Sequence, residues 1–581
     1  MGFDRVGGTR EDQWIPRMEG QQLKTAGLVS ARRPVSGAIS KSRRRSREKN
    51  GNGSDSFTVH SKDLMGRAGN LRTKSGAFLT PHMFPVVNPN SHGFSQEFLN
   101  ELGIHAIMTN AYLLRRARLD KKPEDVHETL GFRETVATDS GAYQILEYGH
   151  VAVKPRDIVE YQERINSDIG VILDFPTGFR SDPSRAGWTV DETVKRADEA
   201  LRVRTRNDIL WVGPIQGGIH LREIARSALE MSKRDFAIYA LGSPTEVMES
   251  QRFDLLVDMI VTAKKFVPPG KPFHLFGAGH PSLFAFLVAL GCDLFDSAAY
   301  ALYARTDRYI TSEGTVRLED MEEFPCLCEA CKGRTPREAR RLKPAERERI
   351  LSKHNLQACF SELRKIREEI RKGRLWDLLE LRAHTHPAMK RCLNRIAQYS
   401  DLLERFTPVS KPRGIFYFGN MSDQRPEVAR YRVKVKKVAV PRSKFLLLLP
   451  GRWRRPYRED PRYQPIVNHV RNLEGMAVCF YSVPFGPVPL ELDETYPVAQ
   501  TESLDPEDSN LYQTKAEMVR DFVRRLSPRL VFIARESEYG DAVMKEISKV
   551  VPGSRIVSVS GKSLRPDAFV SLIEKKVAGV G

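Results

Sequence analysis

Cysteine is too scarce here for a stapled fold: 581 residues hold seven, an odd number, and three of them crowd into Cys326, Cys328 and Cys331. That usage excludes a fully paired disulfide framework and favours a reducing compartment with a metal site. Long apolar runs are also missing. None approaches the ~18 residues of a membrane span, and the N-terminus has no secretory apolar core, so the expectation is a cytoplasmic protein with no membrane partner. Acid is the scarcer charge, 73 Asp+Glu against 92 Lys+Arg for a net charge of +19. Such a surface suits a phosphate-bearing partner, although a basic surface without one fits the charge equally. No glycine-rich phosphate-binding turn follows the first apolar run, which argues against a dinucleotide-binding sheet.

What is present divides the chain into four stretches. Residues 1–56 carry no hydrophobic period and include Arg43, Arg44, Arg45, Arg47 and Lys49, the composition of a disordered basic leader. From 57 to 334, short apolar runs ending at Thr109, Asp139, Asp174, Gln216, Gly242, Gly277 and Asp296 alternate with helix-like segments. This predicts an α/β fold, a (β/α)8 TIM barrel, whose strand ends converge on one face. Residues 335–410 turn rich in Arg, Lys, Glu and Leu at helical spacing, a helical appendage. Residues 411–581 pass through a β-rich stretch after Pro408, then alternate again from about Ser443 (FLLLLP, AVCFYSV, LVFIA, RIVSVS), predicting a smaller C-terminal α/β domain with a mostly parallel sheet.

The strand ends carry the chemistry. Displacement at a glycosidic carbon with retained configuration needs one carboxylate as nucleophile and a second group for proton transfer; Asp139 and Asp296 are the candidates, although each alone also fits a cap or an ion pair. Asp174 has the acceptors for the N–H groups of a guanine-like base and Gln216 suits its carbonyl, while the Tyr143 ring can stack on a flat heterocycle. Gly217 and Gly218 permit close backbone approach, or form an ordinary turn. Cys326, Cys328 and Cys331 with His354 supply three thiolates and an imidazole, the donor set of a closed structural Zn2+ site. The remaining cysteines, Cys292, Cys359, Cys392 and Cys479, read as inert core thiols.

Six segments, TDSGAYQ (138–144), DFPT (174–177), PIQGG (214–218), HLFGAGHP (274–281), GCDLFDSAAYALYARTDRYIT (291–311) and the CxCxxC with its histidine, follow one another across residues 57–410. Together they resemble archaeal tRNA-guanine transglycosylase. The resemblance implies that Asp296 is the nucleophile toward ribose C1′ and Asp139 the general acid/base, or the two in exchanged roles. It implies that Asp174, Gln216 and Tyr143 read the incoming base and that Leu241, Gly242 and Ser243 close the pocket by backbone contacts. It further implies structural zinc, a homodimer, a tRNA substrate, and exchange of the D-loop guanine at position 15 for 7-cyano-7-deazaguanine (preQ0), an early step of archaeosine biosynthesis. Residues 444–457 are similar to a segment of archaeosine synthase, but Gly451 stands where that family has its nucleophilic cysteine and Arg455 where it has lysine. The sequence shows no PUA-type domain like that of full-length archaeal enzymes, so the expectation is a separate PUA-domain subunit or, alternatively, tRNA binding that relies on the +19 charge of this chain. The competing readings are an archaeosine-synthase-type paralogue, a bacterial-type wobble-base enzyme and a tRNA-binding subunit without base exchange.

Overall fold

The computed structural model describes residues 56–88, 94–117, 124–142, 153–438, 443–451, 454–503, 509–561 and 564–579. Apart from Ser56, the leader expected over 1–56 lies outside the described residues, and so does Tyr143.

The described chain opens on β1 (Phe57–Asp63), β2 (Gly66–Thr73) and β3 (Gly76–Thr80), an antiparallel sheet. The βα alternation therefore does not begin at Phe57 as expected. The two-residue connections at Leu64–Met65 and Lys74–Ser75 leave no room for a crossover helix, so these strands can only pair antiparallel. Their apolar side chains Phe57, Leu71 and Phe78 share one core with Phe84, Ala106 and Ile238 of the barrel interior. The Ser75 hydroxyl donates to Asp168 at 2.6 Å, just ahead of a barrel strand, which seats this sheet under the barrel's N-terminal end.

The barrel has eight parallel strands: β4 (His82–Pro85), β5 (Ala106–Asn110), β6 (Thr135–Asp139), β7 (Ile169–Val171), β8 (Leu210–Ile215), β9 (Ile238–Leu241), β10 (Phe273–Leu275) and β11 (Leu294–Ser297). Their order, β4-β11-β10-β9-β8-β7-β6-β5, closes through the parallel bridge Val86–Met108, where the Val87 N–H donates to the Met108 carbonyl at 2.8 Å. The helix α1 (Pro281–Ala289) is apolar on every side and buried throughout, as such a helix must be. It lies in one continuous core with α2 (Pro344–Lys372), α3 (Leu375–Ala383) and α4 (Pro387–Ala397), which add a second helical layer outside the barrel. A hairpin of β12 (Arg308–Ile310) and β13 (Thr315–Arg317) leads from the last barrel strand to the cysteine-rich loop.

The stretch after Pro408 is not β-rich. Among its described residues it holds one short strand, β14 (Ile415–Tyr417), and then α5 (Pro426–Lys437). The alternation in Arg430-Tyr-Arg-Val-Lys-Val imitates a strand, but the buried residues are Val428, Tyr431 and Val435, spaced for a helix. Beyond it, β15 (Phe445–Pro450), β16 (Met476–Ser482), β17 (Gly486–Pro489), β19 (Leu530–Arg535) and β20 (Ile556–Ser560) form a sheet in the order β17-β16-β15-β19-β20, parallel except for β17. The intervening β18 (Thr501–Ser503) pairs with β14.

Buried ions join this domain to the barrel. Lys411 bonds Asp63 of β1 at 2.6 Å and Glu427 of α5, while Arg425 bonds Asp377 of α3. Against the cost of burial, Lys411 and Arg425 hold the Glu427 carboxyl down to about 2. Among the described residues no helix is long and apolar enough to cross a membrane.

Candidate active site

Successive barrel strands deliver polar groups to one cavity of about 870 Å³ lined by Asp139, Asp174, Gln216, Ser243, Gly277 and Asp296, within the range of roughly 300–1,000 Å³ usual for small-molecule sites. Asp139 ends β6, and its Oδ2 accepts from Asn110 Nδ2 at 2.9 Å and from the Gly141 N–H at 3.2 Å. Burial, then the charges of Asp296 and Asp174, push its carboxyl up to about 7. Across the cavity, Oδ1 of Asp296 accepts from His274 Nε2 at 2.9 Å and from the Gly277 N–H at 3.1 Å. Gly277 reaches that carboxylate because its φ of +72° suits glycine, and an added Cβ would also meet Thr245 Oγ1 at 2.8 Å. Oδ2 of Asp296 carries no hydrogen bond among the described residues, so one oxygen is fixed and the other is uncommitted.

A second network organises the opposite wall. Gln216 donates to Asp174, and its Oε1 accepts from the Thr177 N–H at 3.0 Å and from Ser243 Oγ at 2.9 Å. Burial raises the Asp174 carboxyl to about 6, against the opposing pull of the Gln216 hydrogen bond. Ser243 holds a left-handed backbone, φ +59°, a conformation that costs a non-glycine residue about 1 kcal/mol; its bond to Gln216 offsets part of that. Gly242 lies so close that a Cβ there would come within 2.2 Å of Gln216 Nε2.

Beyond the β12–β13 hairpin, the ligand atoms of Cys326, Cys328, Cys331 and His354 lie within 4.8 Å of one another. His354 Nδ1 is 3.6 Å from the Cys328 sulfur and 3.5 Å from that of Cys331, close to the ~3.6 Å edge of a tetrahedron with zinc–sulfur and zinc–nitrogen bonds of ~2.3 and ~2.1 Å. Its other nitrogen, Nε2, lies 2.9 Å from the Ile310 carbonyl; donation there leaves Nδ1 as the ligand atom. The four residues can hold a metal ion.

The sequence matches the family described as queuine tRNA-ribosyltransferase over residues 62–388. The chain belongs to that family. A protein of Sulfolobus acidocaldarius is 38% identical over 485 residues, covering 82% of this chain and 94% of the relative. One of Pyrobaculum aerophilum is 40% identical over 455 residues, covering 77% and 90%. One of Methanocaldococcus jannaschii is 38% identical over 457 residues, covering 77% and 68%. Each carries the name tRNA-guanine(15) transglycosylase. Residues 428–574 match a second family, described only as a domain of unknown function.

As a member of the queuine tRNA-ribosyltransferase family, the chain is a pentosyltransferase of the tRNA-guanine transglycosylase kind. Of the residues expected at its site, Asp139, Asp174, Gln216, Gly242, Ser243 and Asp296 line one cavity. Gly217 and Leu241 do not line it. Gly217 turns the chain at φ +138° and gives its N–H to Thr177 Oγ1, while Leu241 is buried in the core with its carbonyl taken by the Phe276 N–H. Sequence reasoning missed Asn110 and His274. Strand register was the available signal: Asn110 faces Asp139 in the β5–β6 pair, and His274 faces Leu294, two residues before Asp296. The four lone cysteines are buried, and burial pushes their thiols up, that of Cys359 to about 12.

Proposed function

We propose that the chain exchanges the guanine at position 15 of the tRNA D-loop for preQ0 by double displacement. The observation that carries this is a pair of carboxylates on one cavity, Asp296 with one oxygen uncommitted and Asp139 held near 7. In the first half-reaction an oxygen of Asp296 bonds to ribose C1′ as the C1′–N9 bond breaks, and protonated Asp139 gives its proton to the departing guanine. In the second, Asp139 takes the N9 proton of preQ0, whose nitrogen then attacks C1′ and displaces the Asp296 ester. Asp174 and Gln216 read the edge of the base. Zn2+ on Cys326, Cys328, Cys331 and His354 would be structural, fixing the cysteine-rich loop without taking part in the exchange. A homodimer, a cytoplasmic location, a separate PUA-domain subunit and entry into archaeosine synthesis belong to the same reading.

The C-terminal domain is not the source of chemistry in this reading. Gly451 supplies no thiol, and a Cβ there would sit 3.0 Å from Ser482 Cβ and from the Tyr457 ring. Incorporation of radiolabelled guanine into an unmodified archaeal tRNA transcript, with preQ0 as competitor, tests the whole proposal. Exchange mapped to the D-loop and suppressed by preQ0 is expected; intact tRNA binding without exchange would overturn it.

The Asp139 value gives the proposal a pH signature. A proton donor titrating near 7 makes single-turnover guanine release fall as pH rises through 7, and makes capture of preQ0 by the preformed adduct rise over a lower interval, because the Asp296 ester has lost the charge that helps keep Asp139 protonated. Asp139→Asn should slow both by about 10²–10⁴-fold and flatten both profiles. Because the carboxyl is harder to ionise when folded, it costs stability above the pH at which the unfolded group ionises, fully so above 7. The Asn variant should therefore melt higher than wild type at pH 8 and equally at pH 3. Unchanged pH profiles in the variant would remove Asp139 from the proton path.

A further inference from the structure

Beside the catalytic cavity lies a second concavity of about 560 Å³ whose walls include Arg308, Arg317, Arg340 and Arg347 against only Asp307 and Glu319. Arg308, the first residue of β12, lines both spaces. We propose that this concavity is a subsite for a backbone phosphate of the polynucleotide next to the exchanged nucleoside. The proposal rests on the tRNA-modifying reading above and extends it to a contact that no base-recognition residue supplies.

Two of the guanidinium groups are already fixed. Arg340 donates through Nη1 to the carbonyls of Leu318 and Met321 at 2.9 and 3.1 Å. Arg347 gives Nε to Asp307 at 2.7 Å and Nη1 to the carbonyl of Leu342 at 3.2 Å. Groups held this way lose little further freedom when an anion arrives, and their remaining N–H bonds are donors that a phosphodiester can take in pairs. Arg308 has no carboxylate partner among the described residues, whereas Arg317 pairs with Glu319 at 3.1 Å on an exposed edge. A cationic seat with one uncompensated arginine in a shared wall suits a ligand continuous with the occupant of the catalytic cavity. A separate small anion would not need that continuity. The next phosphate along a bound strand is such a ligand.

The test is equilibrium binding of tRNA across a NaCl series, without added base, alongside steady-state exchange. Arg308→Ala should weaken the tRNA Kd about tenfold near physiological salt and make the log–log salt slope shallower by about 0.7–0.9, the value of one released counterion. Arg308→Lys should restore the slope while only partly restoring Kd. Arg133→Ala, just ahead of β6 and so at the opposite end of the barrel, is the control with a wild-type slope. Wild-type Kd and slope in the folded Arg308→Ala and Arg308→Lys variants would overturn the subsite. Failure of the wild type to exchange base would overturn the proposed function instead, and the binding series would still decide the subsite.

Discussion

Asp296→Asn should lower base exchange by about 10⁴-fold or more and abolish the covalent tRNA adduct. The substitution is nearly isosteric, and the side-chain oxygen can still accept from the Gly277 N–H, so the cavity keeps its shape and tRNA affinity should stay within about threefold. What disappears is the anionic oxygen: an amide cannot form and release an ester at C1′. A trapped adduct on a denaturing gel reads this directly. The variant also removes one of the charges that keep Asp139 protonated, so the Asp139 carboxyl should titrate below 7 in Asp296→Asn. An adduct that survives Asp296→Asn but is lost in Asp139→Asn would exchange the two roles.

Cys328→Ser should produce the largest loss of stability, about 3–5 kcal/mol, with bound zinc falling far below one ion per chain. Cys328 is buried, and its sulfur faces His354 at 3.6 Å. The surrounding apolar cluster is small, built on Tyr309, Leu318, Met321, Ala339 and Leu351, and a core of that size holds little without a central bond network. Serine stays protonated at neutral pH and is a poor ligand, so three donors remain where the geometry needs four. The hairpin β12–β13 runs from this centre to the cavity, where Arg308, Gly314 and Thr315 form part of the wall. Loss of metal should therefore raise the KM for tRNA as well as lower the melting temperature. A zinc-free Cys328→Ser protein with wild-type melting would exclude the structural role.

The legible part of this molecule was the part whose chemistry sits at the ends of apolar runs. Asp139 and Asp296 lie within the last two residues of their strands, Gln216 and Asp174 just past theirs, and a closed parallel barrel must bring such ends to one face. Less legible was anything set by pairing between distant strands. Asn110 and His274 hold the two central carboxylates, yet nothing in their local sequence marks them for it. The first barrel strand, His82–Pro85, escaped notice because four residues bounded by Pro81 and ending in Pro85 carry no usable period. In α5, alternating basic residues on the exposed side masked the helical spacing of the buried ones. The side chain of Gln216 is committed to Asp174, Thr177 and Ser243, so in the proposed reaction it positions the Asp174 carboxylate before it is a contact in its own right.

The buried ions between barrel and C-terminal domain bear on how the gene can be cut. Asp63, Lys411 and Glu427 have almost no side-chain exposure. A barrel ending near residue 410 would leave Asp63 of its floor sheet without its counter-cation, and a domain beginning near 428 would lose both Arg425 and Glu427. Breaking a buried pair on one side typically costs about 3–5 kcal/mol, a large share of what holds a domain folded. Neither piece inherits a finished surface, so each half expressed alone should be less stable than it is in the whole chain.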